Sequence, residues 1–163
     1  MRLSVPAALA AALVPAAALA DACETVKAAY DRFAAAPAYR QSVSLEGTGT
    51  VELVMIGDAM HMQDGSGEWT TLSLEPGMRA QMMEATIPDA SALADCRELG
   101  AETLDGRETT VFEYVPPAME GVDQGPQKVW VDADGLPRRM TAVQEGSAVD
   151  VRIAYEDVSA PNQ

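Results

Sequence analysis

The spacing of apolar residues along the chain changes several times, and each change marks an element. Val26, Tyr30 and Phe33 fall at i, i+4 and i+7, which predicts a helix over Asp21–Ala36 with a single apolar stripe. Asp21 is placed to cap it, Glu24 follows at capping-box spacing, and Pro37 ends it. From Tyr39 to Leu74 the period falls towards two. Tyr39–Leu45, Val51–Ile56, a return through Met60-His61-Met62, and Trp69–Leu74 read as a meander of short strands. Gly47, Gly49, Gly57-Asp58 and Asp64-Gly65-Ser66-Gly67 supply its turns.

Pro76–Leu99 breaks the strand pattern. Met78, Met82 and Met83 stand at helical spacing, and Pro88-Asp89 starts a second segment with Ala92, Leu93 and Cys96 as its apolar positions. The expectation is a two-part helical insertion. Strands then resume. Glu98–Val115 reads as a hairpin turning at Asp105-Gly106, Pro116–Pro126 as an acidic loop, and Gln127–Asp132 pairs with Arg138–Gln144 across Asp134-Gly135. Ala148–Tyr155 alternates, with Val149, Val151, Ile153 and Tyr155 on one side. The fold class is α+β: a curved antiparallel sheet, or incomplete barrel, covered by the first helix and the insertion. Residues 21–158 form one domain and 159–163 a frayed tail.

The first twenty residues have a different character. Arg2 precedes an uncharged, alanine-rich run that ends in Ala18-Leu19-Ala20, the small-x-small pattern of a signal-peptidase site. Cleavage after Ala20 and a periplasmic location are expected, with no transmembrane span in the mature chain. Cys23 and Cys96 are then the only thiols. An even count in an exported chain favours a disulfide, closing a loop of about 73 residues, for which chain entropy gives roughly 4 kcal/mol at most. The charge of −14 becomes −15 without Arg2, which argues against nucleic acid as a partner.

Catalytic constellations are scarce. His61 is the only histidine, so no Ser-His-Asp or Cys-His arrangement is assembled around an oriented base. Asp132-x-Asp134-Gly135 opens like a calcium loop, but position twelve would be Val143, and a hairpin turn explains the run. No catalytic residue, cofactor or metal is assigned, and the chain reads as non-enzymatic. The methionines carry more information: eight of the nine lie beyond the leader, while Phe and Trp number two each. Three readings suit them: gap-filling in the core, an adaptable apolar cavity, and a Cu(I) site at Met60-His61-Met62. Neighbours on a strand point to opposite faces, which sets His61 away from the two thioethers.

The run Lys128-Val129-Trp130-Val131-Asp132-Ala133-Asp134-Gly135-Leu136-Pro137-Arg138-Arg139-Met140, with Glu46-Gly47-Thr48-Gly49 and the Asp64-Gly65 turn before Trp69, resembles the periplasmic lipoprotein-carrier superfamily, of LolA-like and LolB-like fold. That resemblance implies an incomplete barrel around a helix-capped apolar cavity that receives acyl chains. The carriers place a basic residue near a proline at the end of the second strand; the matching stretch here, Val54–Asp58, has neither. The function implied is a periplasmic carrier or binder of lipid-like or acylated ligands, a lipoprotein among them, with candidate lining residues Val51, Leu53, Met55, Met60, Met62, Leu72, Leu74, Met78, Met82 and Met83. The alternative is a protein–protein interaction or regulatory module with a periplasmic or membrane protein as partner.

Overall fold

The computed structural model describes residues 16–79, 81–82, 89–118, 124–144 and 146–161. Helix α1, Ala16–Ala35, leads into nine strands: β1 Ala38–Leu45, β2 Gly49–Ile56, β3 Ala59–Gln63, β4 Trp69–Ser73, β5 Ala94–Leu104, β6 Arg107–Val115, β7 Gln127–Asp132, β8 Pro137–Gln144 and β9 Ser147–Ala154. They form one antiparallel sheet in the order β4-β3-β2-β1-β9-β8-β7-β6-β5, with β4 and β5 as its two edges, so the barrel stays open. The expected curved sheet with a covering helix is the fold observed. Most of the expected signal segment lies outside the described residues.

Three expectations are corrected. The helix does not begin at Asp21; the alanines from Ala16 onward, good helix formers, carry it back by more than a turn, so Asp21 sits inside it. It ends near the expected place, where Ala36 N–H donates to the Phe33 carbonyl ahead of Pro37. The second helical piece of the insertion is only a 3-10 turn, Ala90–Ala92, capped by the Asp89 side chain. From Ala94 the chain is strand, and Cys96 to Leu99 belong to β5. Asp95 at φ +52° and Gly100 at φ +112°, with register shifts on either side of Glu98, bend that strand. The apolar spacing of Leu93 and Cys96 had suggested a helix; pairing with β6 decided otherwise.

The core lies between α1 and one face of the sheet. Val26, Ala29, Tyr30 and Phe33 of the helix stripe pack on Cys96, Phe112, Tyr114, Val129, Val131 and Ile153. The Cys23–Cys96 disulfide (S–S 1.99 Å) fastens the first turns of that stripe to β5. The Asp134-Gly135 turn is built on Asp132, whose Oδ1 accepts N–H bonds from Asp134 and Leu136, each at 3.0 Å, and whose Oδ2 accepts from Arg138 Nε at 2.6 Å. Gly135 takes φ +74°, a conformation that favours glycine, and a β-carbon there would have to push the Arg32 guanidinium aside.

Candidate functional site

The register decides where the candidate lining residues go. Residues opposite one another in antiparallel strands share a face. Leu53 faces Met62, Met55 faces Met60, and Met60 in turn faces Leu72. Val51 has the parity of Leu53, and Leu74 follows β4 in the parity of Leu72. Seven of the ten candidates therefore lie on one face. Val43 pairs with both Val51 and Val151, and Leu45 with Val149, so the apolar surface continues across β1 into β9. Val43, Leu45 and Val149 were not among the candidates, although the loose alternation of Tyr39–Leu45 carried the signal.

This face is graded along the strands. At the end beside the β2–β3 turn, Tyr39, Met55, Met60 and Leu74 are buried, and the Phe33 ring closes the space against Tyr39 at 4.5 Å between centroids. At the other end the same strands are half open, with Val51 37% exposed and Met62 42%; Leu72, level with Met60 but on the edge strand β4, is 50% exposed. The result is an apolar trough, closed at one end by the C-terminal turn of α1 and open to solvent at the other. Met78 and Met82 lie on a short helical segment after β4, as their spacing predicts, and are themselves half exposed. Met83 falls outside the described residues. Arg79, between them, holds this segment in place: its guanidinium donates to the Ala36 and Gly57 carbonyls and lies 5.4 Å from the centre of the Tyr39 ring.

A polar cluster lies under α1 on β6–β8. The Tyr30 hydroxyl bonds the Tyr114 hydroxyl and reaches Met140 Sδ at 3.2 Å, and Tyr114 O–H donates to Gln127 Oε1 at 3.0 Å. Burial pushes the Tyr114 hydroxyl up to about 12 and that of Tyr30 well above its ordinary value, so both remain neutral donors. Nothing in the sequence marked this pair, which the fold brings together across 84 positions. His61 points to the opposite face from Met60 and Met62, where its Nδ1 bonds Thr71 Oγ1 at 2.8 Å. Among the described residues no group of three or more His, Cys, Asp or Glu is gathered as a metal site.

Solved structures share this architecture at low sequence identity. The lipoprotein LppX of Mycobacterium tuberculosis matches with a TM-score of 0.60 at 14% identity, over 86% of this chain and 98% of that one. The fold is LolA-like. LprF from Mycobacterium bovis shares it at a TM-score of 0.54 and 13% identity, over 87% of this chain and 96% of that one. The MucA/MucB complex of Pseudomonas aeruginosa matches at 0.50 and 17%, over 86% of this chain and only 59% of the other. No family model and no curated protein sequence matches the chain. Within the LolA-like fold, the trough lies between the sheet and the end of α1. No helix among the described residues is long and apolar enough to cross a membrane.

Proposed function

We infer that the chain is an exported, non-enzymatic binder of lipid-like or acylated ligands, which it seats in the open end of the trough. The observation that carries this is a contiguous apolar face, Val51, Leu53, Met62 and Leu72, that stays partly exposed beside a well-packed core. Exposed apolar surface gathered into one patch marks a binding site more often than an accident of folding. The flexible thioether of Met62 suits a surface that must fit chains of variable shape. The LolA-like fold and the lipoprotein LppX among its structural neighbours support the same reading, and the disulfide supports export. The leader through Ala20 is then removed, and the mature protein works in the periplasm.

The test is native mass spectrometry of protein purified from periplasm, with organic extraction of what co-purifies, followed by titration with a fluorescent acyl probe. The expected result is a stoichiometric acyl ligand, and probe binding lost in Met62→Asp and Leu72→Asp while the melting temperature holds. A bare protein that ignores the probe sinks the reading. A second reading has one observation in its favour: a neighbour of the same fold, MucB, was solved in complex with MucA. The patch would then be covered by a protein segment. It predicts that Met62→Asp abolishes capture of one periplasmic protein and leaves the bound lipid content at zero.

A further inference from the structure

The opposite face of the sheet carries a second concavity, built from unlike chemistry. Arg40 and Ser42 of β1, Glu52 of β2 and Arg152 of β9 have the parity that points away from the trough. The β5–β6 hairpin curls over this face: Trp130 Nε1 donates to Glu102 Oε2 at 2.9 Å, and Arg152 Nη1 donates to Asp105 Oδ2 at the hairpin tip at 2.9 Å. Arg40, Glu52, Asp105 and Arg152, with Arg107, Arg138 and Glu156, line a cleft of about 310 Å³. Four of the nine arginines thus meet at one place in a chain with 25 acidic and 11 basic residues.

The four are not equally committed. Arg138 is buried, bound through Nε to Asp132 and through Nη1 to Glu156 at 2.9 Å, and it stacks over Tyr155 at 4.8 Å. It is part of the framework, and it holds Glu156 ionised, down to about 2. Arg40, Arg107 and Arg152 have side chains 40%, 45% and 49% exposed. Arg107 and Arg152 each donate one hydrogen bond to a carboxylate, and Arg40 only approaches Glu52 at 3.8 Å. A guanidinium offers five N–H donors, so these contacts leave most of theirs uncommitted. Half-exposed pairs of this kind contribute little, so an incoming anion displaces them at small cost. Asp105, 77% exposed, is the easiest carboxylate to displace.

We propose that this cleft is a binding site for a phosphate group, held by Arg40, Arg107 and Arg152. Three guanidinium groups lining one cleft suit the several oxygens of a phosphate better than the two of a carboxylate. The phosphate comes either as a free phosphomonoester or as a lipid headgroup. The site is independent of the trough, from which the sheet separates it.

The test follows the arginine Nε–H resonances of the full mature chain as inorganic phosphate is added, with chloride at matched ionic strength as control, and measures binding to phosphatidylcholine vesicles with and without phosphatidic acid. Saturable shifts confined to the cleft arginines support the site. Response to inorganic phosphate identifies a free phosphate ligand. Response only to phosphatidic-acid vesicles identifies a headgroup. Arg107→Gln and Arg152→Gln should each weaken binding about tenfold. Asp105→Asn keeps a residue that tolerates the positive φ of the turn and should tighten binding about two- to fivefold, a gain that misfolding cannot imitate. Equal shifts with chloride, or no response to either phosphate source, overturn the proposal.

Discussion

The two ends of one apolar face behave differently although their sequences look alike. Val51, Leu53 and Met55 alternate on a single strand, yet Met55 is 4% exposed and Val51 37%. The difference lies in the third layer. Helix α1 packs chiefly on β5, with further contact to β6 and β8, and its last apolar residue, Phe33, reaches the sheet beside Tyr39. Among the described residues nothing comparable covers the far ends of β2 and β3. Strand alternation therefore marks which side of the sheet is apolar; whether that side becomes core or site is set by how far the helix extends.

The sharpest way to break this contrast is to truncate one residue in each region. Phe33→Ala removes a ring that packs against both Tyr39 and Tyr155 and should cost about 3–5 kcal/mol. Leu72→Ala, half exposed, should change stability by no more than about 0.5 kcal/mol. Urea denaturation of the two variants measures both. Similar losses would mean that the open end is packed in solution, and the trough would disappear as a binding surface.

Next in size is the disulfide. Replacing Cys23 and Cys96 by serine should lower stability by about 2–5 kcal/mol. The bridge joins α1 to β5, so faster amide exchange should appear in those two elements and leave β1–β4 unchanged. A uniform rise across all nine strands would show that the covered half is not a separate stabilising unit.

Much of this was legible in the sequence because it depends on local chemistry. The Asp105-Gly106 and Asp134-Gly135 turns set two hairpins, and residues 105 and 106 both take the positive φ that their identities permit. Alternation within each strand grouped Val51 with Leu53, Met60 with Met62 and Leu72 with Leu74, and the register joins these groups on one face. Cys23 and Cys96 pair as their number suggested. What could not be read locally depends on distant partners. The stretch from Ala94 to Leu99 has the apolar spacing of a short helix, and only its pairing with β6 makes it a strand. The exposure gradient along the trough depends on where α1 ends above the sheet. The arginine cleft gathers residues from β1, β6, β8 and β9, each of which looked like an ordinary surface charge on its own strand.

The finest contrast lies inside the covered end, between two tyrosines that share one hydrogen bond. Tyr30→Phe leaves Tyr114 still donating to Gln127 Oε1, so the loss should be near the net worth of one hydrogen bond, about 1 kcal/mol. Tyr114→Phe does more damage. It leaves the Tyr30 hydroxyl, buried against the sheet, with only the Met140 thioether 3.2 Å away, and sulfur is a weak acceptor. An unsatisfied buried hydroxyl costs about 1–3 kcal/mol, so Tyr114→Phe should be the more destabilising of the two, and the double variant should recover part of that loss. Thermal melts of the three variants test the order. If Tyr30→Phe proved the costlier change, the Tyr30 hydroxyl would have to hold α1 through some contact other than Tyr114, and the closed end of the trough would be secured differently from the geometry described above.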